Sequence, residues 1–490
     1  MIQVQEQVDE LLAKIGVSEI LSVPYDTSWL ARLSLQMPEF QGAYKWLEQH
    51  QHEDGSWGSD TLHYHDRVVN TLAAVVALRL NSQTNPMIVK RGVEYLRNNI
   101  GNLHQDANDS VNFVGTMSLL LEEAASLGIH IEGEIDYRHD KTKKRLQALS
   151  TRPDLWLNNP ISFSLECLHP SLPEAEMAIN CFGSIAGSPS ATAAVLINSR
   201  QKNARLIEYL KSIVNPDLGA PALNPINVFQ IAWCLTYLRQ ANLVTPNQPY
   251  VRNALEYLKS IWDVERGVGM SMHGILFDLD DTASVYTLLT WGGYNISPMV
   301  FGSYEEADHF HCYKGETDPS LSVHIRLVIA LRQNPDVFSM VQPWICKALS
   351  FVHDYYASHT IWTDKWHMSP LYLSEAAIRV LDCQAASTHI EWVLKNQNID
   401  GGWGYYGNST LEETAYATNA LTYWESKGHI LPDSALKTAY TYLNTHFDEP
   451  PAELWIGKSL YAPTRIIRAN VLAAIATCSR SIKGNRYDRN

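Results

Sequence analysis

Apolar residues recur every three to four positions in 5–14, 71–78, 250–261, 323–332, 374–382 and 466–476, a spacing that gathers them on one face of a helix. Period-two alternation is weak throughout, so the pattern predicts an all-α chain. The stretch Asn215-Pro-Asp-Leu-Gly-Ala-Pro-Ala-Leu-Asn-Pro225 is dense in helix breakers and reads as a loop close to a domain boundary.

A second pattern is laid over the helical one. Gln51-His-Glu-Asp54-Gly55-Ser56-Trp57-Gly58 returns as Gln397-Asn-Ile-Asp400-Gly401-Gly402-Trp403-Gly404, with Trp46 and Trp392 in register upstream. This is an internal repeat. In each copy a helical segment ends at a Gly-rich turn and an apolar segment follows, as in 71–78. A Gln and a Trp at fixed spacing suit a turn that ties one helix end to the next by hydrogen bonding and ring packing. The expected assembly is a barrel of paired helices.

One segment breaks the apolar pattern with charge. Phe277-Asp278-Leu279-Asp280-Asp281-Thr282-Ala283 places three carboxylates within four residues at the start of an apolar helix. Capping accounts for one Asp. A calcium loop of the EF-hand kind needs a central Gly and a terminal Glu, which the residues after Asp281 do not supply. Like charges this close raise the pKa of at least one member, while the helix N-terminus and Thr282 favour the anions beside it. The expected result is a carboxylic acid held neutral in a dry site, able to protonate a weak base.

Composition narrows the class. A chain of 490 residues with 46% hydrophobic content can bury two cores. A net charge of −14 and the lack of a basic run argue against nucleic-acid binding. No apolar run approaches the roughly 18 residues of a membrane span, and no secretory leader is apparent. Seven scattered Cys without a CxxC pair fit reduced thiols, so a cytoplasmic location is expected. The 14 Trp and 24 Tyr stand out, and most are expected to be core or turn residues.

The Asp motif and the Gln/Trp turns together resemble the class II terpene cyclases, and within them the bacterial class II diterpene cyclases. Pro24-Tyr-Asp-Thr-Ser-Trp-Leu-Ala31, Ser188-Pro-Ser-Ala-Thr-Ala193, His309-Phe-His-Cys-Tyr-Lys-Gly-Glu316, Leu411-Glu-Glu-Thr-Ala-Tyr416 and Leu454-Trp-Ile-Gly-Lys-Ser-Leu-Tyr-Ala-Pro463 carry the resemblance along nearly the whole chain. It implies two α-barrel (α/α-toroid) domains. Residues 25–205 would form a γ-like barrel and 206–490 a β-like barrel bearing the Asp motif, with 1–24 a helix packing on the second.

The resemblance also implies a chemistry. Asp280 protonates the terminal alkene of a prefolded geranylgeranyl diphosphate, and Asp278 and Asp281 hold its geometry. His324 sits where relatives often carry Asn and is the candidate donor behind the acid, with a buried structural His as the alternative. Lys458 and Arg465 are implied as diphosphate contacts, against ordinary solvation. Asp106 and Asp109, in His104-Gln-Asp-Ala-Asn-Asp109, match an acidic Mg²⁺ motif in weakened form. The diphosphate is expected to stay on the product, because the only Asp-Asp pair belongs to the class II motif. A class I terpene synthase or a phosphatase would then consume that product.

Phe163 and Phe182 fall where plant copalyl-type relatives carry a His/Asn base pair, which favours a rearranged, kolavenyl-like product. Copalyl diphosphate, or a drimenyl-type product from farnesyl diphosphate, remain alternatives. A helical-repeat scaffold would not need three clustered acids. A squalene-hopene-type cyclase would be longer, with more such turns and an apolar membrane-docking segment.

Overall fold

The computed structural model describes residues 3–131, 144, 146–157, 159–168, 175–271, 276–316, 318–359 and 361–487. The described chain is helical apart from two two-residue antiparallel ladders, Ser22–Val23 with Ala220–Pro221 and Trp455–Ile456 with Leu460–Tyr461. Five of the six periodic segments lie in helices at Val4–Ala13, Tyr64–Leu80, Pro249–Ile261, Leu321–Leu331 and Thr464–Tyr487. The sixth is broken. Ser374–Ile378 stops short, and Asp382 caps a new helix, Cys383–Lys395, by accepting the Ala385 N–H at 2.9 Å.

The chain folds into two compact units. One, here the N-proximal unit, comprises Ile20–Pro225 and Glu453–Ala462; the other, the motif unit, comprises Met1–Glu19, Ile226–Ala452 and Pro463–Asn490. A division at 205/206 would cut through the N-proximal unit, because the helix Ala204–Ile213 packs on Pro189–Asn198 and the strand Ala220–Pro221 pairs with Ser22–Val23. Trp29, Trp46, Leu72, Val75, Leu120 and Leu196 lie in the core of that unit. In the motif unit the helix Thr464–Tyr487 is the axis, packed by Leu411–Ser426, Asn227–Gln240, Asp433–Thr445 and the N-terminal helix Val4–Ala13.

The repeated turns are built alike. Trp57 Nε1 donates to Leu47 O and Trp403 Nε1 to Val393 O, both at 2.7 Å. Gln51 Nε2 reaches Gly55 O and Ile88 O, and Gln397 Nε2 reaches Gly401 O and Ala435 O. Each turn closes with a backbone bond from residue i to i+4, and the N–H of i+5 then bonds a Thr hydroxyl of a helix: His52, Trp57 and Thr71; Asn398, Trp403 and Thr414.

Three further turns follow this plan with no Trp. Asn180, Ile185 and Thr192 make the first, Asn215, Ala220 and Thr27 the second, and Asp263, Val268 and Thr282 the third. In four of the five the Thr stands four positions after the residue preceding its helix, where its side chain leans back over the N-terminus and meets the turn.

Candidate active site

The Asp motif is a member of this series of turns. Asp278 is the N-cap of the helix Leu279–Trp291, and its Oδ1 accepts the Asp281 N–H at 2.7 Å. Thr410-Leu-Glu-Glu-Thr414 repeats the plan, with Thr410 capping through the Glu413 N–H at 3.1 Å. Thr282 bonds both the N–H and the C=O of Val268 at 3.1 Å, and Val268 O accepts from the Asp278 N–H. Gly267, at φ +79°, permits this approach: a Cβ there would lie 2.2 Å from the Thr282 hydroxyl. The motif's backbone is therefore fixed before any carboxylate chemistry is considered.

Helical geometry then separates the three carboxyls. Asp278 and Asp281 are buried at 1% and 2% exposure, whereas the Asp280 side chain keeps 14%. Burial and the neighbouring Asp281 push the Asp278 carboxyl well above the usual carboxylate range, and burial raises Asp281 to about 7. Asp278 Oδ2 and Asp281 Oδ1 have no hydrogen-bond partner among the described residues. Two desolvated carboxylates in contact cannot both ionise cheaply, so this pair retains a proton at neutral pH.

Asp280 has a cation instead. Arg326 Nη1 lies 2.8 Å from Asp280 Oδ1, Nη2 bonds the Tyr372 hydroxyl, and the guanidinium sits 4.6 Å from the Trp233 ring centroid. Burial raises the Asp280 carboxyl, the Arg326 charge opposes that rise, and the net direction is upward. Arg326 is itself held strongly protonated by Asp280 despite its burial. Beside it is a cavity of about 310 Å³ lined by Trp233, Tyr237, Tyr372 and Tyr416 among others, with Arg326 on its wall.

His324 does not take the place expected of it. Its Nε2 accepts the Phe310 N–H at 3.0 Å, its Nδ1 bonds Ser320 O at 2.7 Å, and its ring stacks on Phe351 at 3.9 Å. Both nitrogens are engaged, so none is left to donate to Asp280. His324 lies four residues after the cap Ser320, the position Thr282 holds after Asp278, and it laces a turn in the same way. Burial lowers it to about 4, leaving the ring neutral. Arg326, two residues on, is the group that reaches the acid. A signal for it was in the sequence: it is the one charged side chain of Leu321-Ser-Val-His-Ile-Arg-Leu-Val-Ile-Ala-Leu331, and a charge in an apolar helix needs a partner.

The other expected residues are distributed as follows. Lys458 is 1% exposed, and its ammonium bonds Glu166 Oε1 (2.7 Å), Ser188 Oγ (2.7 Å), Ser190 Oγ (2.5 Å) and Phe163 O (2.9 Å). Three N–H groups shared among four acceptors leave none for a phosphate, so here the diphosphate expectation gives way to a buried structural ion. Arg465 bonds Val17 O and pairs with Glu19, tying the N-terminal segment to the helix Thr464–Tyr487. Phe163 is half-buried with Lys458 Nζ 4.6 Å from its ring centroid, and Phe182 is half-buried with its N–H on Asn180 Oδ1.

Asp106 Oδ2 accepts from both the backbone N–H and Nδ1 of His65 at 2.7 Å, and Asp109 is exposed. Mg²⁺ is held by one or two carboxylates together with waters and substrate phosphates, so Asp106 and Asp109 could contact it only through the oxygens that His65 leaves free.

Comparison with known proteins bears on this geometry. A type B diterpene cyclase of Mycobacterium tuberculosis is 31% identical over 495 residues, spanning 96% of this chain and 98% of its own. A (−)-kolavenyl diphosphate synthase of Tripterygium wilfordii is 30% identical over 336 residues, 65% of this chain and 41% of the plant protein. The chain thus spans about half or less of the plant relatives it matches in sequence. Among solved structures, ent-copalyl diphosphate synthase from Streptomyces platensis matches with a TM-score of 0.84 at 24% identity, over 98% of this chain and 100% of that one. Abietadiene synthase from Abies grandis matches at 0.71 and 20%, over 99% and 60%. No family model matches the chain.

The near full-length match to the mycobacterial enzyme shows the family: the chain belongs to the class II diterpene cyclases and is an enzyme. Its units have the α-barrel fold of that family. No helix among the described residues is long and apolar enough to cross a membrane.

Proposed function

We propose that the chain protonates geranylgeranyl diphosphate at its terminal alkene and closes two rings with the diphosphate retained, Asp280 being the proton donor. The observation that carries this reading is the division of labour within the motif: Asp278 and Asp281 are sealed and share a proton, while Asp280 is the accessible carboxyl and is backed by a cation. Protonating an isolated alkene demands a desolvated acid with a stabilised conjugate base. Burial raises the Asp280 carboxyl, which favours its loaded form, and Arg326 stabilises the carboxylate left behind. Arg326 is thus a positioning residue in the role first expected of His324.

The ring-closed cation is then to be lost as a proton. Two phenyl rings at Phe163 and Phe182 cannot accept one, but they can stabilise positive charge. That favours hydride and methyl shifts before deprotonation, hence a rearranged bicyclic product of kolavenyl diphosphate type; copalyl diphosphate is the second reading. On this view Mg²⁺ accompanies the diphosphate and takes no part in the protonation, and a class I terpene synthase or a phosphatase consumes the product.

Incubation with geranylgeranyl and with farnesyl diphosphate, followed by dephosphorylation and structure determination, tests the reading. Turnover of the C20 substrate without pyrophosphate release is the expected result. Turnover of the C15 substrate alone, or stoichiometric pyrophosphate, would overturn it.

A further inference from the structure

We propose that the ring-closed cation is discharged through Tyr416 onto Glu412, a carboxyl that holds in the helix Leu411–Ser426 the position Asp280 holds in Leu279–Trp291. The inference rests on the bicyclisation read above and supplies the proton acceptor that Phe163 and Phe182 cannot provide.

The two helix starts are built to one plan. Asp278 and Thr410 cap them, and Thr282 and Thr414, four residues on, lace the preceding turns. Asp281 and Glu413 each give their N–H to the cap. Asp280 and Glu412 are then the matching pair, two residues after the cap. Glu413 secures its own turn, accepting from the Tyr405 N–H at 2.9 Å, the Ser369 hydroxyl at 2.6 Å and the Thr410 hydroxyl at 2.9 Å. Glu412 has other company: the Tyr416 hydroxyl donates to its Oε1 at 2.8 Å, and His367 Nε2 lies 3.5 Å from the same oxygen.

The protons in this cluster point toward Glu412. The Ser369 N–H donates to His367 Nδ1 at 3.0 Å, so a neutral ring carries its proton at Nε2, on the side of Glu412. Burial and the neighbouring Glu412 push the Tyr416 hydroxyl well above its ordinary value, so the phenol keeps its proton and donates it. A phenolic oxygen has two lone pairs, and Tyr237 engages one of them. Glu412 and His367 are buried, so water does not compete for these contacts.

The cluster adjoins the acid. Tyr416 lines the cavity that has Arg326 on its wall, among the aromatic faces of Trp233, Tyr237 and Tyr372, which suit a cation. Tyr372 bonds Arg326 through its hydroxyl, and its ring centroid lies 5.5 Å from that of Tyr416. The step balances. A C–H bond beside the cationic carbon breaks and its electron pair becomes the new C=C bond. The proton passes to Tyr416 Oη as the Tyr416 proton passes to Glu412 Oε1. Asp280 has then lost one proton and Glu412 has gained one, as an isomerisation requires, and exchange with solvent restores both. Tyr416 is the catalytic residue of this step, and Glu412 acts through it.

The test follows substrate loss and product identity separately in variants of the full-length chain given geranylgeranyl diphosphate. Tyr416→Phe keeps the ring and removes the relay. It should still consume substrate, while the share of the main product falls roughly tenfold or more in favour of other double-bond isomers or the alcohol formed by water capture. Glu412→Gln should give the same altered spectrum, since it breaks the same path. Glu413→Gln is the structural control: it weakens a turn, so its melting temperature should fall while its spectrum stays that of the unmodified chain. A folded Tyr416→Phe protein with an unchanged spectrum would overturn the inference. So would one that no longer consumes substrate, because discharge comes after protonation, and so would Glu413→Gln shifting the spectrum in the same way. If Glu412→Gln does not fold, Tyr416→Phe decides alone. An unmodified chain that leaves geranylgeranyl diphosphate untouched would remove the bicyclisation itself, whereas bicyclisation with an unshifted spectrum in Tyr416→Phe removes only the acceptor.

Discussion

Arg326 stands against Asp280 with Nη1 2.8 Å from Oδ1, and its other terminal nitrogen is tied to the Tyr372 hydroxyl. A guanidinium so placed opposes the upward push of burial on the carboxyl. On the proposed reading, in which Asp280 is the proton donor, it sets how strong that acid is and at what pH it is still loaded.

Asp280→Asn should abolish cyclisation, a loss of about 10²–10⁴-fold or more, because an amide cannot donate to an alkene. The helix keeps its Asp278 cap, so circular dichroism should be unchanged. Asp278→Ala removes that cap and should also lower stability, by about 1 kcal/mol. Full activity in a correctly folded Asp280→Asn protein would remove the proposed acid.

Arg326→Met should lower kcat and move the alkaline limb of the pH–rate profile upward. The sign follows from the pairing: without the cation the Asp280 pKa rises, so the carboxyl stays protonated to higher pH but gives up its proton less readily. A limb that moved down, or a profile that did not move, would contradict the role given to Arg326.

His324→Phe should cost stability rather than chemistry, because the Phe310 N–H loses its acceptor, an effect of about 1–3 kcal/mol. The cost should depend on pH. The folded pKa of about 4 lies below the ordinary 6.5, so the stabilising contribution of the ring is complete above about pH 6.5 and is lost as pH falls toward 4. Denaturant unfolding of both proteins at pH 7.5 and 4.5 checks this: the gap between them should narrow on acidification.

Lys458→Met should destabilise the N-proximal unit by about 3–5 kcal/mol, since Glu166 is left as a buried, unpaired carboxylate. Adding Glu166→Met should restore part of the loss. A Lys458→Met protein of unchanged melting temperature and raised KM for the diphosphate substrate would instead return Lys458 to the role of substrate contact.

On the proposed reading Phe163→His should shift the product from a rearranged skeleton toward the unrearranged alkene, because it introduces a base where the ring is proposed to prolong the cation. Gas chromatography of the dephosphorylated products reads this directly. An identical spectrum in the variant would sink the proposal for the ring.

The helical nature of the chain and two of its turns were legible because they rest on local rules: apolar spacing, and a Gln and Trp at fixed distance from a glycine. The turns at Asn180, Asn215 and Asp263 were not, since they keep the hydrogen bonds while replacing the Trp with Ile185, Ala220 and Val268. The acid cluster was legible as well, because three carboxylates in four residues are a local anomaly. His324 and Lys458 were misjudged for a common reason. In each the polar atoms are already engaged: His324 accepts the Phe310 N–H and bonds Ser320 O, and the Lys458 ammonium donates to Glu166, Ser188 and Ser190, which are distant in sequence.

What the sequence determined by itself was therefore the all-α class, the Asp motif at a helix start and the need for at least one of its carboxyls to stay protonated. Tertiary structure decided which carboxyls share that proton and which one meets Arg326. It also decided that residues 206–225 and 453–462 fold with the N-proximal unit. The physical reason is range: capping and helical period act within about one turn along the chain, whereas desolvation, ion pairing and strand pairing depend on segments that meet only after folding.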